Sequence, residues 1–287
     1  MAPRQGRRGA GTVPIVLRSC ARLLHRANDP RQTGGGRQQC AAPSLAGDLL
    51  RGTSCCVVTF VHVFLEGNMD SFSDADRDAL YRIMRTRRDI RHFLPTPLPP
   101  DVVRRILEMA HAAPSVGFMQ PWNFVLITSL TLRQQIKASF ETRNAHEAAS
   151  IADPARQALY TSLKLEGILE APLNIAVTCD RRRDAPFVLG RAPMPDTDLF
   201  STCLAIQNLW LAARAEGVGV GWVSILDKKA VETLLEMPPG VQLVAYLCVG
   251  YPTEFRPQPL LQEVGWKNRL PLDDLVYHDR WGERYAL

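Results

Sequence analysis

The sequence predicts an α+β fold, an α/β sandwich in which helices flank a central mixed sheet of about four to five strands. Strand-like runs rich in Val, Ile and Leu are few, and long helical runs separate them. Hydrophobic residues make up 46% and charged residues 22% of the chain, which is ordinary for a protein that buries its own core. The last stretch carries Pro, Trp and charges without clear periodicity, which predicts an extended C-terminal arm.

The first 68 residues differ in charge from the rest. They contain nine Arg and three acidic residues, which gives them a net charge of +6. Because the whole chain carries +5, residues 69–287 carry −1. This Arg-rich, acid-poor composition predicts a disordered basic extension at 1–68, followed by one domain at 69–287. Two further interpretations stay open: a targeting segment, or a stretch that is not translated because Met69 is the initiator.

Composition argues against several classes of function. A near-neutral domain with a basic extension is weak evidence for nucleic-acid binding, which requires a basic face on the folded domain itself. The sequence contains no run of the roughly 20 apolar residues that a membrane helix needs. The seven Cys and six His show no metal-ligand spacing, so we expect no metal site. Buried free thiols fit a reducing compartment, and we expect a cytoplasmic protein.

The first half of the domain begins with two helices. Ser73 and Asp76 form a capping-box-like S-x-x-D that starts a helix running to about Thr86. A Pro-rich connection follows, and Pro100 opens a second helix, which Pro114 ends.

Apolar runs then alternate with helical periodicity. The predicted elements are a strand at 122–128, helices at 131–142 and 154–169, a strand at 173–179, a loop at 180–196, a central helix at 198–215, a strand at 218–225, a short helix at 227–237 and a strand at 241–249.

The segment TRRDIR, residues 86–91, places three Arg and one Asp at the end of the first helix. Guanidinium groups suit phosphate, and Asp89 among them should stay ionised with a lowered pKa. A solvated charge run at a helix C-terminus is the alternative, and this segment alone favours that alternative.

Two further segments contain groups that suit a planar ligand. In 113–124, Ser115 follows the helix end and Gly117 permits a tight turn, although an ordinary connector would have the same composition. In 217–227, alternating Gly on a strand indicates close approach of another backbone or a ligand. Ser224 lies where that strand ends, as ligand-binding residues often do, and the alternative is a surface Ser near a turn.

Jointly, these segments resemble the nitroreductase-like flavoprotein superfamily over nearly all of residues 73–285. An Arg-rich start, a P-S-x(4)-Q-P-W element and a Gly-rich strand before a short helix occur in that order. General nitroreductases typically carry Asn in the P-S loop, where this chain has Phe118, and this departure points to the 5,6-dimethylbenzimidazole synthase branch. The matching stretches are RRDIRHFLP, HAAPSVGFMQPW, LKLEGILEAPLNIAVTCD, VLGR, AIQNLWLAARAEGVGVGWVSILD, LCVGYP and GWKNRLPL.

The resemblance implies a nitroreductase-like, FMN-binding domain that takes reduced FMN as its substrate. With O₂, it would fragment the flavin to 5,6-dimethylbenzimidazole, the lower ligand of cobalamin, and erythrose 4-phosphate. An NAD(P)H-dependent FMN nitroreductase or flavin reductase is the alternative, and a non-catalytic FMN-storage protein is a third. Because no dinucleotide fingerprint occurs, a separate NAD(P)H flavin reductase should supply FMNH₂. The resemblance also implies a homodimer with flavin sites at the interface.

Residue by residue, the resemblance assigns Asp89 and Ser224 to catalysis, as groups that take, direct or relay a proton. Arg269 is a further candidate for the phosphate. The flavin-binding set that it implies is Arg87, Arg88, Asp89, Ile90, Arg91, Ser115, Leu165 and Ser224.

Overall fold

The computed structural model describes residues 71–285, so the expectations for residues 1–68 and for Met69 fall on a part of the chain outside it. The predicted α+β fold is confirmed. In chain order the elements are α1 (Asp74–Thr86), α2 (Pro100–His111), β1 (Trp122–Ile127), α3 (Leu130–Ala149), α4 (Pro154–Ser162), β2 (Leu173–Asp180), α5 (Thr197–Ala215), β3 (Gly219–Val223), α6 (Lys228–Leu234), β4 (Val241–Gly250) and α7 (Leu260–Glu263), with 3₁₀ turns at Val116–Phe118 and Leu272–Asp274.

The four strands lie in the order β1-β2-β4-β3, and every neighbouring pair is antiparallel. The expected mixed character is therefore confined to one isolated parallel bridge, which joins Asp89 to Val220. The connections between strands explain the antiparallel pairing. The connections β1–β2 and β3–β4 each bring the chain back to the end of the sheet where the previous strand finished, so the two strands run in opposite directions.

Two apolar layers cover the two faces of the sheet. On one face α2 and α5 pack against the strands, and α5 is the central helix that its apolar composition predicts. On the other face α3, α6 and the segment after α1 cover the sheet. The buried residues that α5 contributes are Asp198, Ser201, Thr202, Ala205, Ile206, Leu209 and Ala213.

Several boundaries differ from the prediction. The helix expected at 131–142 continues to Ala149, because the polar stretch that follows contains neither Pro nor Gly. The helix expected at 154–169 ends at Ser162. The following loop places Gly167 where an added Cβ would lie 2.6 Å from the Phe93 ring, so close packing overrides helical periodicity there.

Other expectations concern the surface. No helix within residues 71–285 combines the length and the apolar character needed to span a bilayer. Cys179 and Cys248 are buried as expected, whereas Cys203 is exposed on the outer side of α5. Between β4 and residue 285, helical structure is limited to α7 and one 3₁₀ turn, which agrees with the predicted C-terminal arm.

Candidate flavin site

Residues 87–91 leave the end of α1 and lie along the outer edge of β3. The Ile90 N–H donates to the Val220 carbonyl at 3.0 Å, next to the bridge between Asp89 and Val220. The Ile90 side chain is buried, so a ligand contact at this residue is restricted to its main chain.

The glycines of β3 explain how a second backbone comes so close. A Cβ at Gly219 would lie 2.8 Å from the Ile90 side chain. At Gly221 it would lie 2.0 Å from the Ile90 carbonyl oxygen and 2.8 Å from Arg91 Nη1. The alternating glycines thus accommodate a backbone, which is one of the two explanations that their spacing predicts.

Asp89 is held by two neighbours and remains accessible. Its Oδ1 accepts a hydrogen bond from the Trp222 N–H at 2.9 Å, and its Oδ2 pairs with Arg91. Arg91 also donates to the Trp222 carbonyl at 2.8 Å, so it ties the carboxylate to β3. The Asp89 side chain is 44% exposed, which leaves one side of the carboxylate open to a ligand.

Desolvation by the surrounding protein raises the pKa of Asp89. Arg91, the Trp222 N–H and Arg87 act in the opposite direction but do not outweigh it. The expectation of a lowered pKa is therefore wrong, because it counted the neighbouring charges and not the loss of water around the carboxyl.

Four cations gather beside this segment. Burial lowers the pKa of Arg88, and the positive charges of Arg87, Arg269 and Arg214 lower it further. In the part of the chain that the structure describes, none of the four has a carboxylate within ion-pair distance. An unneutralised cluster of guanidinium groups is a suitable site for a dianionic phosphate.

Arg87 and Arg88 use their side chains differently. Arg88 Nη1 donates to the carbonyls of Arg85 and Arg87, both at 2.7 Å, and its Nη2 donates to the Pro257 carbonyl. The Arg87 guanidinium instead lies over the Trp210 ring, 4.7 Å from its centroid. Arg87 is thus the better placed of the two to bind a ligand, whereas Arg88 mainly anchors main chain.

Two more predicted residues lie near this segment. Ser224 is exposed directly after β3, two residues beyond Trp222, to which Asp89 is bonded. Leu165 is half-buried in a loop whose Gly167 packs against the Arg91 carbonyl. The segment 87–91 and Ser224 therefore lie along β3, and Leu165 lies in a loop that packs against the same segment.

Ser115 lies elsewhere. Its Oγ accepts from the Gln120 N–H at 3.0 Å, and the next N–H in the chain, that of Val116, donates to Ser201 Oγ at 3.0 Å. Ser201 precedes Trp210 by nine residues on α5, a distance of about 14 Å along the helix. One copy of the chain does not bring Ser115 to the arginine cluster.

Sequence reasoning missed Trp210, Trp222 and Arg214. Trp210 and Arg214 are four residues apart on α5 and therefore share a face of that helix, but the same spacing is common in ordinary core helices. Trp222 contributes through its main chain, which no side-chain pattern reveals.

Comparison with known proteins gives a consistent result. The model of the nitroreductase family matches residues 84–251. A 5,6-dimethylbenzimidazole synthase of Rhodospirillum rubrum is 46% identical over 200 residues, covering 70% of this chain and 94% of that protein. One of Rhodobacter capsulatus is 44% identical over 203 residues, covering 71% and 98%. Oxidized iodotyrosine deiodinase, crystallised with FMN and 3-iodo-L-tyrosine, shares the fold at a TM-score of 0.54 and 24% identity, covering 67% and 96%.

Proposed function

The chain belongs to the nitroreductase family, and from this premise we propose that it is a 5,6-dimethylbenzimidazole synthase. In this reaction reduced FMN and O₂ yield 5,6-dimethylbenzimidazole and erythrose 4-phosphate, so FMN is a substrate that is consumed. The observation that carries the proposal is an identity of 41–46% to three such synthases over 94–98% of their lengths.

The residues present fit FMN. Arg87, Arg214 and Arg269 supply positive charge that no carboxylate within residues 71–285 neutralises, and they would hold the phosphate. Arg88 Nε is buried and has no hydrogen-bond partner in the same range, which is further evidence that this corner is built for an anion. Arg88 and Arg91 would chiefly hold the framework around the ligand.

Reduced FMN, when bound, supplies the electrons that O₂ accepts. The protein's part is to orient the ring and to move protons. Asp89 is suited to this, because its carboxyl is partly exposed and its pKa is raised above the ordinary value by desolvation, which favours the uptake of a proton. Arg91 and the Trp222 main-chain N–H keep the carboxylate in one orientation. Ser224, exposed two residues beyond Trp222, is the proposed proton relay.

We also propose a homodimer in which each flavin site combines two copies of the chain. The separation of Ser115 from Arg87 within one chain supports this, since a second copy is then needed for both to contact one flavin. A separate NAD(P)H flavin reductase would supply FMNH₂, and the protein would work in the cytoplasm.

The test is a single-turnover reaction. The protein is mixed anaerobically with FMNH₂, O₂ is admitted, and the products are separated by chromatography. We expect 5,6-dimethylbenzimidazole to appear as FMN disappears. Intact FMN together with rapid oxidation of added NADPH would instead identify a reductase, and intact FMN without any turnover would identify a storage protein.

The Asp89→Asn variant tests the assigned proton-transfer role. It should bind FMN but form no product, because the amide can no longer accept a proton. Asp101→Asn is the matched control, since Asp101 is an exposed carboxylate paired with Arg105 on α2, and it should keep the full rate. Product formation at the normal rate by Asp89→Asn would refute the role of Asp89.

A further inference from the structure

Trp210 joins three parts of the candidate site. The Arg87 guanidinium lies 4.7 Å above its ring centroid, and its Nε1 donates to the Arg88 carbonyl at 3.2 Å. The centroid of its ring is also 6.5 Å from that of Trp222, whose main-chain N–H donates to Asp89. One half-buried indole on α5 therefore contacts two consecutive arginines and the aromatic residue beside the carboxylate.

The kind of contact matters for Arg87. A carboxylate partner would hold this long side chain in place but would also cancel its charge and occupy its N–H donors. An aromatic face holds the guanidinium through its π surface, so the charge is kept and the N–H groups in the guanidinium plane stay available. Arg87 has no carboxylate partner among the described residues, so the indole is its orienting contact there.

The second contact of Trp210 is with the main chain. The Arg88 carbonyl belongs to the peptide that leads into Asp89. The indole N–H of Trp210 donates to this carbonyl and fixes it where the chain leaves α1 for the edge of β3. The Trp210 side chain thus fixes both the position of the Arg87 guanidinium and the path of the backbone that carries Asp89.

We infer that Trp210 is a positioning residue for phosphate recognition: it holds Arg87 in place to receive the phosphate of FMN and leaves the guanidinium un-neutralised. The inference rests on the proposed binding of FMN. It predicts an effect that depends on the phosphate, which a general loss of structure would not show.

The experiment compares the affinities for oxidised FMN and for riboflavin, which lacks the phosphate. The unsubstituted protein should bind FMN more tightly. Trp210→Leu should weaken FMN binding by about 3- to 30-fold, as expected for loss of one cation–π contact, and should change riboflavin binding by less than twofold. Trp210→Phe, which keeps an aromatic face, should retain most of the FMN affinity.

Tyr81→Leu is the matched control, because it removes the contact between Tyr81 and Arg85 on α1, away from the predicted ligand. It should alter neither affinity. Equal losses of FMN and riboflavin affinity in Trp210→Leu would overturn the inference, as would an unchanged FMN affinity. Equal binding of FMN and riboflavin by the unsubstituted protein would instead overturn the phosphate site itself.

A double-substitution cycle provides a second measurement, in case Trp210→Leu folds poorly. The cycle uses Trp210→Met, whose flexible apolar side chain adapts to the space but has no aromatic face. In the unsubstituted protein Trp210→Met should weaken FMN binding about as much as Trp210→Leu, and in an Arg87→Ala background it should have little further effect, because the side chain that Trp210 positions is gone. An undiminished effect in that background would show that Trp210 acts by another route.

Discussion

A methyl group at Gly221 would lie 2.0 Å from the Ile90 carbonyl oxygen, closer than any real Cβ contact. We therefore expect Gly221→Ala to push the segment 87–91 away from β3. The cost should be about 1–3 kcal/mol of unfolding free energy or more, together with a large loss of flavin affinity. Urea unfolding and flavin titration measure the two effects.

Gly217→Ala separates this steric effect from backbone strain. Gly217 has a φ of +72° but no atom within 4 Å of an added Cβ. Its substitution should cost about 1 kcal/mol through strain alone and leave flavin binding intact. If both alanine variants bound flavin equally poorly, close approach of the segment to β3 would not be what the site requires.

The raised pKa of Asp89 has a consequence for stability. Folding favours its protonated form, so its contribution is fully present below the unfolded-state pKa of about 3.9 and is lost as the pH rises through the folded-state pKa. Asn is neutral at every pH. Asp89→Asn should therefore gain thermal stability relative to the unsubstituted protein between about pH 4 and pH 7.

Asp101→Asn should show no such gain in thermal stability over the same range. Hydrogen bonding to Arg105 lowers the pKa of Asp101, so the stability that this carboxylate contributes is already complete above its unfolded-state pKa of about 3.9 and is lost only as the pH falls further. Parallel trends for the two variants would contradict the raised pKa of Asp89.

At the scale of elements, a buried carboxylate joins α5 to the loop before it. The Asp198 side chain is fully buried, accepts from Arg181 Nε at 3.0 Å, and also accepts from the Leu199 N–H at 2.8 Å. We expect Asp198→Asn to cost about 3 kcal/mol in urea unfolding, the lower end for a broken buried pair, because Arg181 is 36% exposed.

Asp196 offers a matched comparison on the same arginine. It lies 3.2 Å from Arg181 Nη2 but is 58% exposed, so Asp196→Asn should cost no more than about 1 kcal/mol. Similar losses for the two substitutions would mean that burial of Asp198 is not the source of its effect.

The elements were largely predictable because most of them bury one continuous apolar face. The predicted strand at 122–128 is found at Trp122–Ile127, and the one at 241–249 at Val241–Gly250. The predicted end of α4 failed because packing around Gly167 depends on Phe93, which is remote in sequence. The order of the strands likewise depends on contacts between residues that are distant in sequence.

At the scale of the whole molecule, Ser115 limits what the sequence could predict. The resemblance placed it with Arg87 and Asp89 in one site, but only the fold reveals that α5 separates them. The shared family explains why these residues occur together in one sequence. It does not say which of them belong to the same copy of the chain.

A mixed dimer tests the composite site. One copy would carry Asp89→Asn and the other Ser115→Ala, co-expressed with two affinity tags and purified through both. Each homodimer should be impaired at both sites, whereas the mixed dimer contains one unaltered site and should show about half of the unsubstituted rate. A rate no higher than the average of the two impaired homodimers would place both residues in a single copy, or remove Ser115 from the site.

The hydrogen bond from Arg91 to the Trp222 carbonyl spans 131 residues of sequence. During synthesis at about 5–20 residues per second, the first of these residues waits about 7–26 s for the second. Until then residues 87–91 have no edge of β3 to pair with. Contacts between residues so far apart in sequence also form late in folding. Flavin binding would therefore report that nearly the whole domain has folded, and a nascent or truncated chain could not capture the flavin early.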